Sequence, residues 1–258
     1  MHPILNIAIR AARKGGNNIT QAYDKKIFDY YENKKFLKKE ISITNNFIYN
    51  LIKKSYPNHN IIIYNKNLNF KKFFHPTWII NVIYGKKNFI KRYPNFCISI
   101  VVFIENKIQI SVIYDPLKNE IFTAVFGKGA QVNGYRMRCS KNILLKNSFF
   151  SCRINNIFLE KNKEYLKILK KIFNKKVIFR STSLIPLDLV YLADGRIDFI
   201  LENEFKIKNY YPGILQIQES GGIISDYQET FNKNKKIVIL ANNIQFIKLI
   251  INEIKSIK

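Results

Sequence analysis

Apolar residues recur along this chain at two spacings, one typical of helices and one typical of strands. In residues 3–23, Leu5, Ala8 and Ala12 share one helical face while Arg10 lies on the other, which predicts an opening helix. The same pattern predicts helices at residues 44–55, 160–174, 187–194, 211–220 and 243–254. Strands are predicted at residues 61–64, 77–83, 97–104, 107–114, 120–126, 177–179, 197–201, 223–225 and 237–240. Helices and strands therefore alternate, which indicates a layered α/β protein.

Two neighbouring strand patterns predict how part of a sheet is built. Residues 97–104 are almost continuously apolar, which predicts a strand that is buried on both faces. Residues 107–114 alternate more clearly between apolar and polar positions. Glu105 and Asn106 lie between the two stretches, so we expect a hairpin with its turn at these residues.

Two other stretches are expected to be irregular. Residues 24–40 are dense in lysine and aromatic residues without clear periodicity, and predict a loop or an irregular extension. Gly127, Gly129 and Gly134 predict a second loop. The Gly127-x-Gly129 pair favours a turn after a strand over a cradle for phosphate.

Composition indicates a globular protein with a sizeable core. The chain has 258 residues, of which 47% are hydrophobic. The longest apolar runs, such as residues 98–104, are too short to cross a bilayer. The first residues lack the long apolar stretch of a secretory signal. We find no internal repeat and no clean linker, so a single domain over residues 1–258 is expected.

The net charge of +25 supports two interpretations. A strongly basic chain often binds nucleic acid or another polyanion, and its positive charge attracts RNA. Lysine, asparagine, isoleucine, phenylalanine and tyrosine are abundant throughout, however, as expected of a chain from an AT-rich genome. Composition drift and a selected polyanion-binding surface both account for the charge.

The cysteines and histidines do not suggest a metal or disulfide site. Cys97, Cys139 and Cys152 are odd in number and have no C-x-x-C spacing, which fits a reducing cytoplasm. Cys139 and Cys152 are expected to be buried, inert thiols. His59 and His75 have no partner at metal-ligand spacing and are expected at the surface.

A glycine turn after one predicted strand carries the most informative motif. Residues 78–92 read W-I-I-N-V-I-Y-G-K-K-N-F-I-K-R, and the ends of such strands commonly place ligands. This stretch resembles the D-P-[LI]-D-G-T-x-N-F motif of the inositol monophosphatase family. The resemblance continues in order at residues 1–16, 52–59, 112–124, 127–138, 187–198 and 219–226. It implies the family's αβαβα layered fold and its homodimer, and it makes Asp188 and Asp198 scaffold residues that anchor element ends.

The resemblance also implies a Mg²⁺ site whose carboxylates are missing from this chain. The family's metal-binding acidic positions fall on Asn65, Asn81, Tyr84 and Asn209. An additional acidic position falls on Ile41, and a sugar-contacting glutamate falls on Ile214. Mg²⁺ prefers oxygen ligands, above all carboxylates, and one unit charge at 4 Å contributes about 4 kcal/mol at an effective dielectric near 20. We therefore predict no catalytic residue, no metal site and no bound cofactor.

Basic residues stand at and around the former substrate position. The candidates for anion binding are Gly85, Lys86, Lys87, Arg180 and Lys208. We expect the lysines to convert the former active-site cleft into an anion-binding pocket.

Two roles follow from the resemblance. Bacterial members of the family act in the ribosomal RNA transcription antitermination complex with Nus factors and RNA polymerase, and assist RNA folding and ribosome assembly. This implies a catalytically silent scaffold near ribosomal RNA in the cytoplasm. The alternative is a Mg²⁺-dependent inositol-1-phosphate phosphatase that uses unusual ligands and, only in that case, Mg²⁺ as cofactor. A nonfunctional relic is a third interpretation.

Overall fold

The chain forms mixed helices and strands in a computed structural model that describes residues 2–64, 73–152, 163–203, 207–228 and 236–255. Its helices are α1 (Pro3–Asp24), α2 (Tyr30–Ser55), α3 (Lys86–Ile90), α4 (Lys163–Phe173), α5 (Ile185–Ala193), α6 (Tyr211–Glu219) and α7 (Ile244–Lys255). Its strands are β1 (Asn60–Ile63), β2 (Thr77–Tyr84), β3 (Cys97–Ile104), β4 (Lys107–Asp115), β5 (Glu120–Val125), β6 (Gly129–Val132), β7 (Tyr135–Arg136), β8 (Phe149–Cys152), β9 (Ile178–Phe179), β10 (Phe199–Asn203), β11 (Ile223–Gln228) and β12 (Lys236–Ala241). None of the helices in these ranges is long and apolar enough to cross a membrane.

The described residues divide into two compact units. Those that fall within Met1–Arg136 and Tyr211–Gln216 form unit 1, and those that fall within Met137–Tyr210 and Ile217–Lys258 form unit 2. Unit 1 contains a sheet in the order β1 to β7, in which β1 is parallel to β2 and every later pair is antiparallel. Unit 2 contains a sheet in the order β11-β12-β10-β8-β9, in which β8 is parallel to both of its neighbours.

Both faces of the unit 1 sheet are buried, as the apolar pattern of β3 predicts. On one face, Trp78 and Ile100 belong to the core cluster that α1 and α2 cover. On the other face, Val101 and Phe103 form a second cluster, against which Tyr211 of α6 packs. Successive side chains of a strand point to opposite faces, so a strand covered on both sides reads as continuously apolar.

The predicted hairpin between β3 and β4 is confirmed. Glu105 and Asn106 form its two-residue turn, with φ of 51° and 61°. A positive φ at both central residues defines the turn type whose twist matches paired strands.

Helix α2 corrects the prediction that residues 24–40 are irregular. It begins at Tyr30, where the side chain of Asp29 accepts a 2.8 Å hydrogen bond from the backbone N–H of Glu32. This is the ordinary way to satisfy a free N–H at the start of a helix. The buried stripe of α2 includes Asn33 and Thr44 beside Leu37. Because Asn33 and Leu37 are the only fully buried residues of α2 before Thr44, apolar periodicity revealed the helix only from residue 44 onward.

The predicted glycine-rich loop is also partly wrong. Gly127 lies in a turn with φ of 70°, as expected, but Gly129 begins β6. Asn133 and Gly134 then form a tight turn into β7, with φ of 49° and 87°. The glycines mark turns between short strands, which are easily taken for one loop.

In unit 2, strand β8 was absent from the sequence-based prediction because its four residues show no periodicity. Burial explains its position, since Phe150 is fully buried and stacks on Phe199 with 4.8 Å between ring centroids. Asp198 fixes the start of the strand by accepting a 2.7 Å hydrogen bond from the N–H of Phe149. Asp188 accepts a 3.1 Å bond from the hydroxyl of Ser151. The predicted anchoring roles of both aspartates are confirmed.

Candidate functional site

The end of β2 is distorted at the position of the family motif. Asn81 pairs with Ser99, and Tyr84 pairs with Cys97, so β2 carries one extra residue between the two pairs. Such a bulge redirects side chains at the end of a strand. The side-chain oxygen of Asn81 accepts a hydrogen bond from the backbone N–H of Ile83 at 3.2 Å, which stabilises the distorted backbone.

Tyr84, the position at which the resemblance implies a metal-binding aspartate, lies in a neutral hydrogen-bonded cluster. Its side chain hydrogen-bonds with those of Asn81 and Ser99, and its ring lies 6.2 Å from that of Tyr64. Burial raises the pKa of Tyr84 well above its usual value, and the two hydrogen bonds offset this only in part. Burial also raises the pKa of Tyr64. Both phenols therefore stay protonated near neutral pH and provide no anionic oxygen.

Gly85 allows the chain to turn from β2 into α3. Its φ is +92°, and a Cβ added there would lie 2.6 Å from the backbone oxygen of Asn95. The turn is closed by Phe89, whose N–H donates to the carbonyl of Gly85 at 2.9 Å. Lys86 and Lys87 follow directly and are both exposed. The glycine turn thus leads directly into two exposed lysines, and the binding of an anion there stays a prediction.

The chemistry of the described residues at the end of β2 does not fit the Mg²⁺ site that the resemblance implies. No cluster of three or more histidine, cysteine, aspartate or glutamate residues occurs within the described ranges. The amide oxygen of Asn81 is already bonded to Ile83, and the phenols of Tyr64 and Tyr84 are neutral. Mg²⁺ requires octahedral oxygen ligands and usually one or two carboxylates. Asn65 lies outside the described residues.

Unit 2 holds the remaining candidates. Arg180 is exposed, donates a 2.8 Å hydrogen bond to the carbonyl of Phe179 and lies 5.8 Å from the ring centroid of Phe149. Lys208 and Asn209 belong to a single turn of 3₁₀-helix, and both are partly buried. Arg180 thus directly follows β9, and Lys208 and Asn209 lie in a helical turn. Their contact with an anion stays a prediction.

Sequence reasoning missed the contacts that two residues make with β2, one at each end of the strand. Ser99 is the one polar residue within the apolar run of β3, and it bonds to Tyr84. His59, expected at the surface, is instead half-buried and accepts a hydrogen bond from Trp78. The polar residue in an apolar strand was a usable signal for Ser99, whereas the contact between His59 and Trp78 depends on strand pairing.

Cys152 is buried as predicted, whereas Cys139 is only half-buried. Burial raises the pKa of Cys152 to about 12, and it also raises the pKa of Cys139. Cys97 is buried in β3. A thiol with a raised pKa is a weak nucleophile, because the thiolate is the reactive form. The raised pKa values of Cys139 and Cys152 therefore agree with the prediction that these two thiols are inert.

Comparison with known proteins supports the resemblance over the whole chain. The profile of the inositol monophosphatase family matches residues 1–258. The Nus factor SuhB of Buchnera aphidicola subsp. Acyrthosiphon pisum (strain APS) is 41% identical over 261 residues, which cover 99% of this chain and 98% of that protein. The Nus factor SuhB of Escherichia coli (strain K12) is 36% identical over 253 residues, covering 96% and 94%.

Solved structures confirm the predicted fold class. The extragenic suppressor protein suhB of Bartonella henselae matches with a TM-score of 0.78 at 24% identity, covering 98% of this chain and all of that one. The inositol monophosphatase of Anabaena (Nostoc) sp. PCC 7120 matches with a TM-score of 0.78 at 21% identity, covering 99% and 96%. At these identities the structures establish the α/β fold of the inositol monophosphatase type.

Proposed function

This chain belongs to the inositol monophosphatase family, and we propose that it acts as an accessory factor of ribosomal RNA transcription antitermination, without the family's phosphatase chemistry. The observation that carries this proposal is the similarity to proteins named Nus factor SuhB along nearly the full chain. In this role the chain works in the cytoplasm as a homodimer, with Nus factors, RNA polymerase and nascent ribosomal RNA. It assists RNA folding and ribosome biogenesis there.

The chemistry at the end of β2 supports the loss of phosphatase activity. Hydrolysis of a phosphate monoester needs metal ions that neutralise the phosphate, activate water and stabilise the leaving oxygen. Asn81 and Tyr84 offer neutral oxygens that are engaged with each other, and Lys86 and Lys87 add positive charge beside them. The lysine charges repel a divalent cation, whereas carboxylates at the same positions would attract it. The same charge suits a phosphate or an RNA backbone.

Transcription in vitro tests the proposal. A template with a ribosomal RNA leader and a downstream terminator is transcribed by RNA polymerase with Nus factors, in the presence or absence of the full chain. We expect the chain to increase read-through, and to do so equally in the presence of inositol 1-phosphate. The proposal is contradicted if the folded chain leaves read-through unchanged and also does not join the assembled transcription complex.

The alternative is a Mg²⁺-dependent inositol-1-phosphate phosphatase, which family membership favours. Calorimetric titration with Mg²⁺ in the presence of inositol 1-phosphate, with phosphate release followed in parallel, separates the two functions. Binding together with turnover establishes the alternative. A folded sample that shows neither supports the accessory role.

The anion-binding candidates are tested unit by unit. In unit 1, Lys86→Ala combined with Lys87→Ala removes both cations after the Gly85 turn. In unit 2, Lys208→Ala and Arg180→Ala are made separately. We expect a variant to bind inorganic phosphate more weakly than the parent chain does if the substituted residue contacts the anion. Unchanged phosphate affinity in all of them contradicts the assignment.

A further inference from the structure

The outer face of α2 carries aromatic rings next to lysines. Phe28 precedes the helix and Tyr31 lies in its first turn, and each is 77% exposed. Tyr30 contacts Tyr31 edge-on, with 5.4 Å between ring centroids. These rings therefore expose apolar surface to water instead of packing in the core, and such surface is available to a binding partner.

Lysines follow Tyr30 and Tyr31 on the same two lines along the surface of the helix. Tyr30, Lys34 and Lys38 follow each other at intervals of four residues, as do Tyr31, Lys35 and Lys39. Residues four apart are neighbours on a helix surface, about 6 Å apart along its axis. All four lysines are exposed. Two parallel rows, each with a ring followed by two cations, therefore run along the outside of α2.

A second element extends this face. The amide nitrogen of Asn33 donates a 3.1 Å hydrogen bond to the carbonyl of Ile90, which holds the end of α3 against α2. Lys91 then places its Nζ 5.0 Å from the ring centroid of Tyr30. Lys87 lies one turn before Lys91, whose N–H donates to the carbonyl of Lys87. Lys87 therefore lies about one helical turn from the lysine that contacts Tyr30.

The charge of this region is strongly positive. Residues 24–40 and 85–93 contain ten lysines and arginines against the four acids Asp24, Asp29, Glu32 and Glu40. Asp29 accepts a hydrogen bond from the backbone N–H of Glu32, as a helix cap does. The two rows of α2 that contain the tyrosines contain no acid.

We propose that this face, defined by Phe28, Tyr30, Tyr31, Lys34, Lys35, Lys38, Lys39 and Lys91 and called the α2 surface, binds single-stranded RNA directly. This inference rests on the proposed function in one respect, which is that the proposed function brings RNA near the chain. Proteins that bind single strands combine cations that follow the backbone with rings on which bases stack. A protein partner favours a contiguous apolar centre with charge at its rim. On the α2 surface the rings lie at one end with Lys91 beside Tyr30, and the four lysines of the two rows continue from them along the helix, which gives bases a place to stack next to a path of cations for the backbone. This arrangement favours RNA.

The test measures the affinity of the full chain for a fluorescein-labelled single-stranded RNA of about 12 nucleotides, a length within the usual site sizes, by fluorescence anisotropy over a range of salt concentrations. The variant Phe28→Ala with Tyr31→Ala removes two exposed rings. We expect binding to weaken about tenfold or more at every salt concentration, because stacking depends little on salt. The matched control is Phe126→Ala with Tyr135→Ala, which removes one exposed Phe and one exposed Tyr elsewhere. We expect it to bind as the parent does.

A second variant tests the cations. Lys34→Ala, Lys35→Ala and Lys38→Ala together should reduce the slope of log affinity against log salt by about 2, since each phosphate contact on a single strand contributes about 0.7. The control removes three exposed lysines of α4, by Lys163→Ala, Lys167→Ala and Lys170→Ala. Its slope should stay closer to that of the parent. Equal slopes in the two triple variants overturn the proposal.

Other outcomes separate this proposal from the proposed function. If the parent binds RNA and the ring variant binds equally well, the α2 surface is wrong, while the accessory role stands. If the parent binds no RNA yet increases read-through, the surface is again wrong and the function stands. If poly-glutamate of equal charge displaces the RNA as well as unlabelled RNA does, the surface binds polyanions or acidic proteins, and the proposal of RNA is overturned.

Discussion

The indole N–H of Trp78 donates a hydrogen bond to Nδ1 of His59, with 3.0 Å between the two nitrogens. Trp78 is fully buried and is the only tryptophan in the sequence. His59 also stacks on Tyr56, with 4.6 Å between ring centroids. A ring nitrogen that accepts a hydrogen bond carries no proton, so this contact requires neutral His59. Burial first and the charge of Lys53 second lower the pKa of His59.

This contact should make stability depend on pH. The pKa of His59 in the folded state lies below its usual value of 6.5, so its contribution is complete above that value and is lost as the pH falls through the folded-state pKa. Urea unfolding followed by Trp78 fluorescence, between about pH 8 and pH 5, measures this loss around the unperturbed pKa. His59→Asn keeps an acceptor near the indole and does not titrate. We expect the loss of stability to be smaller in this variant, and an equal loss in parent and variant contradicts the assignment.

Removing the hydroxyl of Tyr84 should destabilise the end of β2. Tyr84→Phe leaves Asn81 and Ser99 without their shared partner, and we expect a loss of about 1–2 kcal/mol in the free energy of unfolding. Tyr135→Phe is the matched control, because Tyr135 is exposed. It should change stability by less than about 0.5 kcal/mol. Similar effects in both variants, measured by urea unfolding, contradict a structural role for the Tyr84 hydroxyl.

Mg²⁺ should not stabilise the folded chain. A ligand that binds the native state raises the melting temperature, and the neutral cluster around Tyr84 offers no anionic ligand. We expect the same melting temperature in a calorimetric scan with about 10 mM MgCl₂, a millimolar level typical of weak sites, and with the same ionic strength of NaCl. A rise that occurs with MgCl₂ alone contradicts the prediction and reopens the phosphatase alternative.

Gly85 should tolerate no side chain. Gly85→Ala requires a left-handed conformation, which costs roughly 1–2 kcal/mol, and brings the new Cβ to 2.6 Å from the oxygen of Asn95. Gly134→Ala separates the two effects, since Gly134 has φ of 87° but no atom within 4 Å of the added Cβ. We expect Gly85→Ala to be clearly the more destabilising variant in urea unfolding. If the two variants lose the same free energy of unfolding, the close approach of the added Cβ to Asn95 does not contribute to the destabilisation.

The amide of Asn33 should be needed to join α2 to α3. Asn33→Ala removes the donor to the carbonyl of Ile90 and leaves that buried oxygen unbonded, at a cost of about 1–3 kcal/mol. Asn50→Ala is the control on the exposed side of the same helix. We expect only Asn33→Ala to lower the unfolding free energy by this amount. Equal stability of the two variants contradicts the structural role of Asn33.

Sequence patterns predicted the regular elements well where burial follows a simple period. The bounds of β3 and β4 agree with the prediction to within one residue, because one strand is apolar throughout and the next alternates. The start of α2 was missed since Leu37 is the one fully buried apolar residue of the helix before Thr44. Strand β8 was missed because four residues are too few to show a period. In both cases the packing partner decides the structure, and that partner is distant in sequence.

The sequence by itself determined the class of the fold, the turn at Gly85 and the absence of carboxylates at Asn81 and Tyr84. These depend on residue identity and on local backbone preference, both of which a single chain reveals. Only the tertiary structure decided that Tyr84 bonds to Ser99 and that Lys91 lies beside Tyr30. Both contacts arise when strands pair or helices pack, since the geometry of those partners sets which side chains meet.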